Sequence, residues 1–297
     1  MLYPQMPLRR KHHKLLSLPF VEHLPRGTKF GSDFDAAVAQ STDAWAGVRR
    51  QIRQARPEVV LISSEFLLMA AHVERIASFA EQYLGRGSEL EFIAYLRTPS
   101  EFYVSMMQQW FKASAQLLAL EPPDMLKQLD RYSSLGKVMV RKYDRAGFKD
   151  GSVISDICDL VGVDSTALDH KDLQANISLS AEGIILLQDY RRRYHAGREA
   201  IFTADTKAFI GKIAQEESAH PGLYTKPRLR TEIARALDRE TPDLRGLRRR
   251  YGVALADRRA LPWTRGAPVD RLGPFSEAAA VIEHDPALVE KLRRAVS

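Results

Sequence analysis

Apolar positions along the chain fall into two kinds of pattern. Three short unbroken runs, Val59-Val60-Leu61-Ile62, Phe92-Ile93-Ala94-Tyr95-Leu96 and Val138-Met139-Val140, are of strand length and are bounded by polar or turn residues, which is how buried strands read in sequence. Between them, over 66–84 and 101–120, apolar residues recur at the three- and four-residue spacing of one helical face. Two further helices are predicted over 152–161, with Gly162 as C-cap, and over 181–194, with the Ser180 hydroxyl placed to accept a bond from a first-turn N–H. Strands alternating with helices predict an α/β fold with a mostly parallel sheet flanked by helices in three layers. Sheets of this kind bind ligands at the carboxyl ends of their strands.

Beyond Ala219 the pattern changes. Pro221, Gly222 and Pro227 punctuate it, and Arg-rich, helix-like sequence follows. The predicted division is an α/β domain over 1–219 and a basic, mainly helical C-terminal extension over 220–297.

Charge sharpens that division. The net charge is +7, and the stretch from Lys226 to Arg265 alone holds twelve Lys or Arg against five Asp or Glu, a local net of +7. Such a tract favours anionic partners (nucleotide, polyanionic glycan, nucleic acid or an acidic membrane surface), or else forms a solvated helical surface. No apolar run has bilayer-spanning length, and no stretch of signal-peptide length follows Arg9-Arg10-Lys11. Cys158 is the sole cysteine, so neither an internal disulfide nor a Cys-rich zinc site is expected. A cytoplasmic location is the expectation.

Candidate chemistry gathers after the second run. Arg97 stands where the strand should end, Pro99 suits the first turn of the next helix, and Ser105 follows Arg97 by eight residues. Helix N-termini attract anions, a guanidinium fork matches phosphate oxygens, and a serine hydroxyl adds a donor. The plainer alternative is a capping proline beside an arginine paired with a carboxylate.

This element resembles the sulfotransferase signature in which an arginine at a strand end, a nearby proline and a serine bind the 3′-phosphate of 3′-phosphoadenosine 5′-phosphosulfate. More broadly, Leu2-Tyr3-Pro4, His12-His13, Ser63-Ser64-Glu65, Val140-Arg141-Lys142-Tyr143-Asp144-Arg145 and Asn176-Ile177-Ser178-Leu179-Ser180 resemble, in order and spacing, bacterial sulfotransferase-like proteins, over roughly the first two thirds of the chain. The resemblance implies a P-loop NTPase-like sulfotransferase fold, a nucleotide sulfate donor bound by Arg97, Ser105 and Tyr143 (the last against adenine), no metal, and a hydroxyl acceptor on a glycan. It also makes Glu65 the candidate base for the acceptor proton, with His12 and His13 as competitors; a Glu complementing a helix dipole is the alternative for Glu65. The family opens with a strand and a turn rich in Gly, Lys, Ser and Thr that holds the 5′-phosphosulfate. Nothing near Met1 has that composition, so the expectation is either codons upstream of Met1 or a lost donor loop.

Two other functions compete. One keeps the fold without catalysis, as a nucleotide-binding pseudoenzyme. The other is nucleic-acid binding, prompted by a helix-turn-helix flavour over 152–163 and by the basic tract. Against it, Ala167 to Lys171 is too short and acidic for a recognition helix, so nucleic acid is the less favoured partner.

Overall fold

A computed structural model describes residues 1–6, 13–24, 30, 33–121, 124–167, 178–241, 243–256 and 274–297. The elements in chain order are α1 (Lys14–Ser17), α2 (Phe34–Ala55), α3 (Glu74–Tyr83), β1 (Glu91–Leu96), α4 (Pro99–Phe111), α5 (Met125–Ser133), β2 (Lys137–Lys142), α6 (Val153–Leu160), α7 (Ala181–Tyr194), α8 (Ala204–Ala219), α9 (Thr231–Glu240), α10 (Asp243–Tyr251), α11 (Ala278–Val281) and α12 (Pro286–Val296). The described residues are thus helix-rich with one small sheet, in which β1 and β2 run parallel and pair from Glu91 with Lys137 to Leu96 with Lys142. No described helix is long and apolar enough to cross a membrane.

The chain forms two compact units. The first comprises Met1–Leu96, Met125–His170 and Arg249–Val253; the second comprises Arg97–Asp124, Lys171–Arg248 and Ala254–Ser297. Residues on both sides of Ala219 belong to the second unit.

In the first unit, α2 buries Ala37, Ser41, Ala44, Trp45 and Val48, the face expected of helical spacing. Asp33 caps its start by accepting from Ala36 N–H at 2.9 Å. Trp45 packs edge-on to Phe20 and Phe79 and lies 5.8 Å from Tyr83, while its indole N–H donates to Leu16 O at 3.0 Å. The aromatic group therefore buries its apolar bodies and still satisfies its polar tip. At the sheet's entrance Gly136 is obligatory, since a Cβ there would stand 2.1 Å from Leu90 O, a backbone atom that cannot yield.

The first predicted strand is reduced to a single parallel bridge between Leu2 and Val60. Its neighbours pair elsewhere: Ser63 exchanges bonds with His13 through both its N–H and its carbonyl. The helix predicted over 66–84 is shorter than expected. Glu65 to Met69 form a turn, and α3 begins only at Glu74. The physical reason lies on α5, where the Tyr132 hydroxyl donates to Leu67 O and the Arg131 guanidinium donates to Ala70 O and Ala71 O. Those carbonyls serve distant side chains instead of a helical ladder.

In the second unit, α4, α7, α8, α9, α11 and α12 enclose a core that includes Met107, Phe111, Ile184, Leu187, Ile213, Leu237 and Leu292. As expected, Ser180 caps α7, accepting from Gly183 N–H at 2.9 Å. Buried Gln188 is fully used, donating to Ala115 O and Ser276 O and accepting from Ala278 N–H. Buried Arg191 donates to Ala113 O and Arg198 O at 2.8 and 2.7 Å. These long-range claims on the carbonyls of 113 and 115 explain why α4 ends at Phe111 and not near residue 120.

Candidate functional site

The second unit holds the predicted phosphate element. β1 ends at Leu96, and two residues later Thr98 caps α4, its hydroxyl accepting from Glu101 N–H at 3.3 Å. Pro99 occupies the first helical position, where its missing N–H costs nothing. Arg97 is half-buried, and Ser105 is half-buried along α4 beside the buried stripe of Tyr103, Val104, Met107 and Gln108.

The α4 N-terminus is already occupied. The Asp238 carboxylate of α9 accepts from Ser100 N–H at 2.8 Å and from the Ser100 hydroxyl at 2.9 Å. Phe102 N–H goes to Thr98 O at 2.8 Å. With Glu101 N–H on Thr98, the first-turn donors are all engaged, so an anion here would rely on the Arg97 and Ser105 side chains or would have to displace Asp238. Burial pushes the Asp238 carboxyl above the usual carboxylate range, an effect reduced by its two bonds from Ser100 and increased by nearby Glu101.

The first unit holds the other two predicted residues. Tyr143 extends the sheet by one bond beyond β2, its N–H donating to Leu96 O at 2.6 Å, and its half-buried ring packs edge-on to Phe148 with centroids 5.2 Å apart. Glu65 is exposed in the turn that follows residues 61–64. Among the described residues it makes no hydrogen bond or ion pair, and it stands on no helix N-terminus, so dipole complementation does not account for it. Among the competing bases, His12 lies outside the described residues. His13 is fully buried: its Nδ1 accepts from Ser63 N–H at 2.9 Å, so Nε2 carries the proton and donates to Pro4 O at 2.8 Å. That fixed neutral tautomer ties the N-terminal segment to residue 63 and leaves no lone pair for an acceptor's proton.

One polar cluster was not anticipated from the sequence. Asp156, 4% exposed, receives the Tyr95 hydroxyl at 2.5 Å and a bond from Arg141 Nη2 at 2.7 Å, with Arg141 Nε in ion-pair contact at 2.7 Å. Burial alone would raise the Asp156 pKa, but bonds from Tyr95, Lys149 N–H and Arg141 hold it below the usual range. Burial and the same carboxylate push the Tyr95 hydroxyl up. The arrangement locks α6 to the outgoing ends of β1 and β2. Tyr95 sits inside an apolar run and Asp156 inside an amphipathic helix, so only the polar exceptions within those patterns signalled the cluster.

No family model, no curated protein and no solved structure matches this chain.

Proposed function

We propose that this chain is of the sulfotransferase type, binding 3′-phosphoadenosine 5′-phosphosulfate and passing its sulfuryl group to a hydroxyl of a glycan, which offers many such hydroxyls. The observation that carries the reading is the run from β1 through Arg97 and Pro99 into α4 with Ser105 on it, a strand paired in parallel and followed at once by a helix. In this reading β1 and β2 belong to a wider three-layer sheet of the P-loop NTPase-like kind. Arg97 and Ser105 hold the 3′-phosphate through charge-assisted bonds, and Tyr143 flanks the adenine.

The acceptor oxygen attacks sulfur as the bond from sulfur to the phosphate oxygen breaks, and adenosine 3′,5′-bisphosphate leaves with that electron pair. The acceptor's proton passes to the Glu65 carboxylate, which is exposed and engaged with no other described group. The chemistry asks the protein mainly for position and charge stabilisation, and for no metal.

A second reading has its own observation. Asp238 places a bound carboxyl group at the α4 N-terminus, which suits a chain that keeps the fold without turnover. Calorimetry with adenosine 3′,5′-bisphosphate and with AMP tests the site. The bisphosphate is expected to bind more tightly, and Arg97→Ala to remove about 1.5–3 kcal/mol, the worth of a bond to a charged group. Equal affinity for the two nucleotides would remove the phosphate element from the account. Binding without sulfate transfer would favour the second reading.

A further inference from the structure

Between α2 and α3 of the first unit lies an open groove of about 600 Å³, within the size range of small-ligand sites. Arg49 and Arg53, one turn apart on α2, line one side, and Arg86, just beyond α3, lines it as well. Like charges at this spacing repel along a helix, yet among the described residues neither Arg49 nor Arg53 has a hydrogen bond or ion pair. Arg86 lies 3.7 Å from Glu81, but the two side chains are 93% and 64% exposed, and such a pair is weak and readily exchanged.

Charge decides what fits. Glu81 contributes one negative charge, and the C-terminal end of α3 about half of one. Three guanidiniums exceed both, so the lining is net positive and its strongest donors are planar forks suited to tetrahedral oxyanions. A single arginine would complement the end of α3; the other two are surplus to that role. The remaining lining argues for the body of the ligand. Tyr83 is 7% exposed and its ring packs against Trp45 and Phe79, so no open aromatic face awaits a nucleobase. Ser78 and Gln82 instead offer hydroxyl and amide partners beside the aliphatic Ile52.

We propose that this groove binds a small saccharide carrying at least two tetrahedral oxyanions, sulfate or phosphate, with Arg49, Arg53 and Arg86 as their partners. The site shares no residue with the proposed donor site, and it stands or falls independently of it.

The test is calorimetry on the full chain with four probes: a multiply sulfated disaccharide, a sugar bisphosphate, an uncharged disaccharide and inorganic sulfate. Tight binding of either charged sugar, with the uncharged sugar and free sulfate far weaker, is expected, and which charged sugar binds identifies the oxyanion. Arg49→Gln with Arg53→Gln should weaken it by about tenfold to a hundredfold. Arg50→Gln, on the same helix but outside the groove, should change it less than about twofold. All these positions are exposed, and circular dichroism should show unchanged helix content. Failure of both charged sugars to bind the wild type, equal binding of the uncharged sugar or free sulfate, or an equal loss in Arg50→Gln would overturn the proposal.

Discussion

Asp238 is 8% exposed, and its carboxylate takes two bonds from one serine at the head of another helix. Removing it with Asp238→Ala leaves Ser100 N–H without its partner, and a loss of about 1–3 kcal/mol in denaturant-unfolding stability is expected. Asp238→Asn keeps an acceptor for the N–H and should cost less. The two variants also separate charge from hydrogen bonding. The folded pKa lies above the unfolded one, so folding favours the protonated acid. The stability from this group is full below the unfolded pKa and is lost as pH rises through the folded one. Asp238→Asn should therefore gain on the wild type in urea midpoint as pH rises above the ordinary aspartate value of about 4. A constant difference over that rise would show that the charge carries no penalty. If Asp238 fills an anion's place, the same variant should also bind adenosine 3′,5′-bisphosphate more tightly. Glu65 gives a complementary test, because its exposure and lack of partners make Glu65→Gln structurally mild. Sulfate transfer should fall by roughly two to four orders of magnitude with unfolding unchanged; near-normal turnover would remove Glu65 from the mechanism.

Two glycines on adjacent helices give opposite expectations. A Cβ on Gly183 in α7 would stand 2.5 Å from Glu217 Oε1 and 2.9 Å from Ile213 Cγ2 of α8, whereas Gly211 in α8 has nothing within 4 Å. Gly183→Ala should destabilise by about 1–3 kcal/mol through overpacking. Gly211→Ala should stabilise by about 0.5–1 kcal/mol by supplying a better helix former. Thermal unfolding of the pair reads both signs, and shifts of the same sign would contradict the packing between α7 and α8. This level of structure also shows what the sequence made legible. Local signals told the truth: Ser180 caps α7, Pro99 opens α4, and Gly162, at φ 68°, closes α6 with Val163 N–H on Cys158 O and its own N–H on Asp159 O. Elements set by distant partners were misread. Nothing within residues 65–71 announces that Arg131 and Tyr132 will claim their carbonyls, and nothing near residue 120 announces Gln188 and Arg191. The candidate site divides in the same way. Arg97, Ser105, Tyr143 and Glu65 were picked from short-range pattern, while Asp238, 138 residues beyond Ser100, became visible only once α9 packed on α4.

At the scale of the molecule, sequence order and spatial order diverge. The second unit is assembled from three stretches of chain, and its core draws on α4, α7, α8, α9 and α12 together. A fragment of residues 1–219 would lack α9 and α12, leaving Leu187 and Ile213 without the cover of Leu237 and Leu292. It should bind a hydrophobic dye strongly and lose the unfolding transition of the second unit, whereas the full chain should keep it. A fragment with that transition intact and no dye binding would show that the C-terminal helices are dispensable.

The interleaving also has a consequence in time. Helix α12 packs against α7 and α8, yet roughly 90 residues separate the end of α7 from its start, about 5–20 s of synthesis at ordinary elongation rates. Throughout that interval the part of α7 that α12 covers is made but uncovered. The nascent chain is then at its most adhesive, and a chaperone that shields emerging apolar segments should raise the yield of native protein most when translation is slowed over the stretch between these two helices.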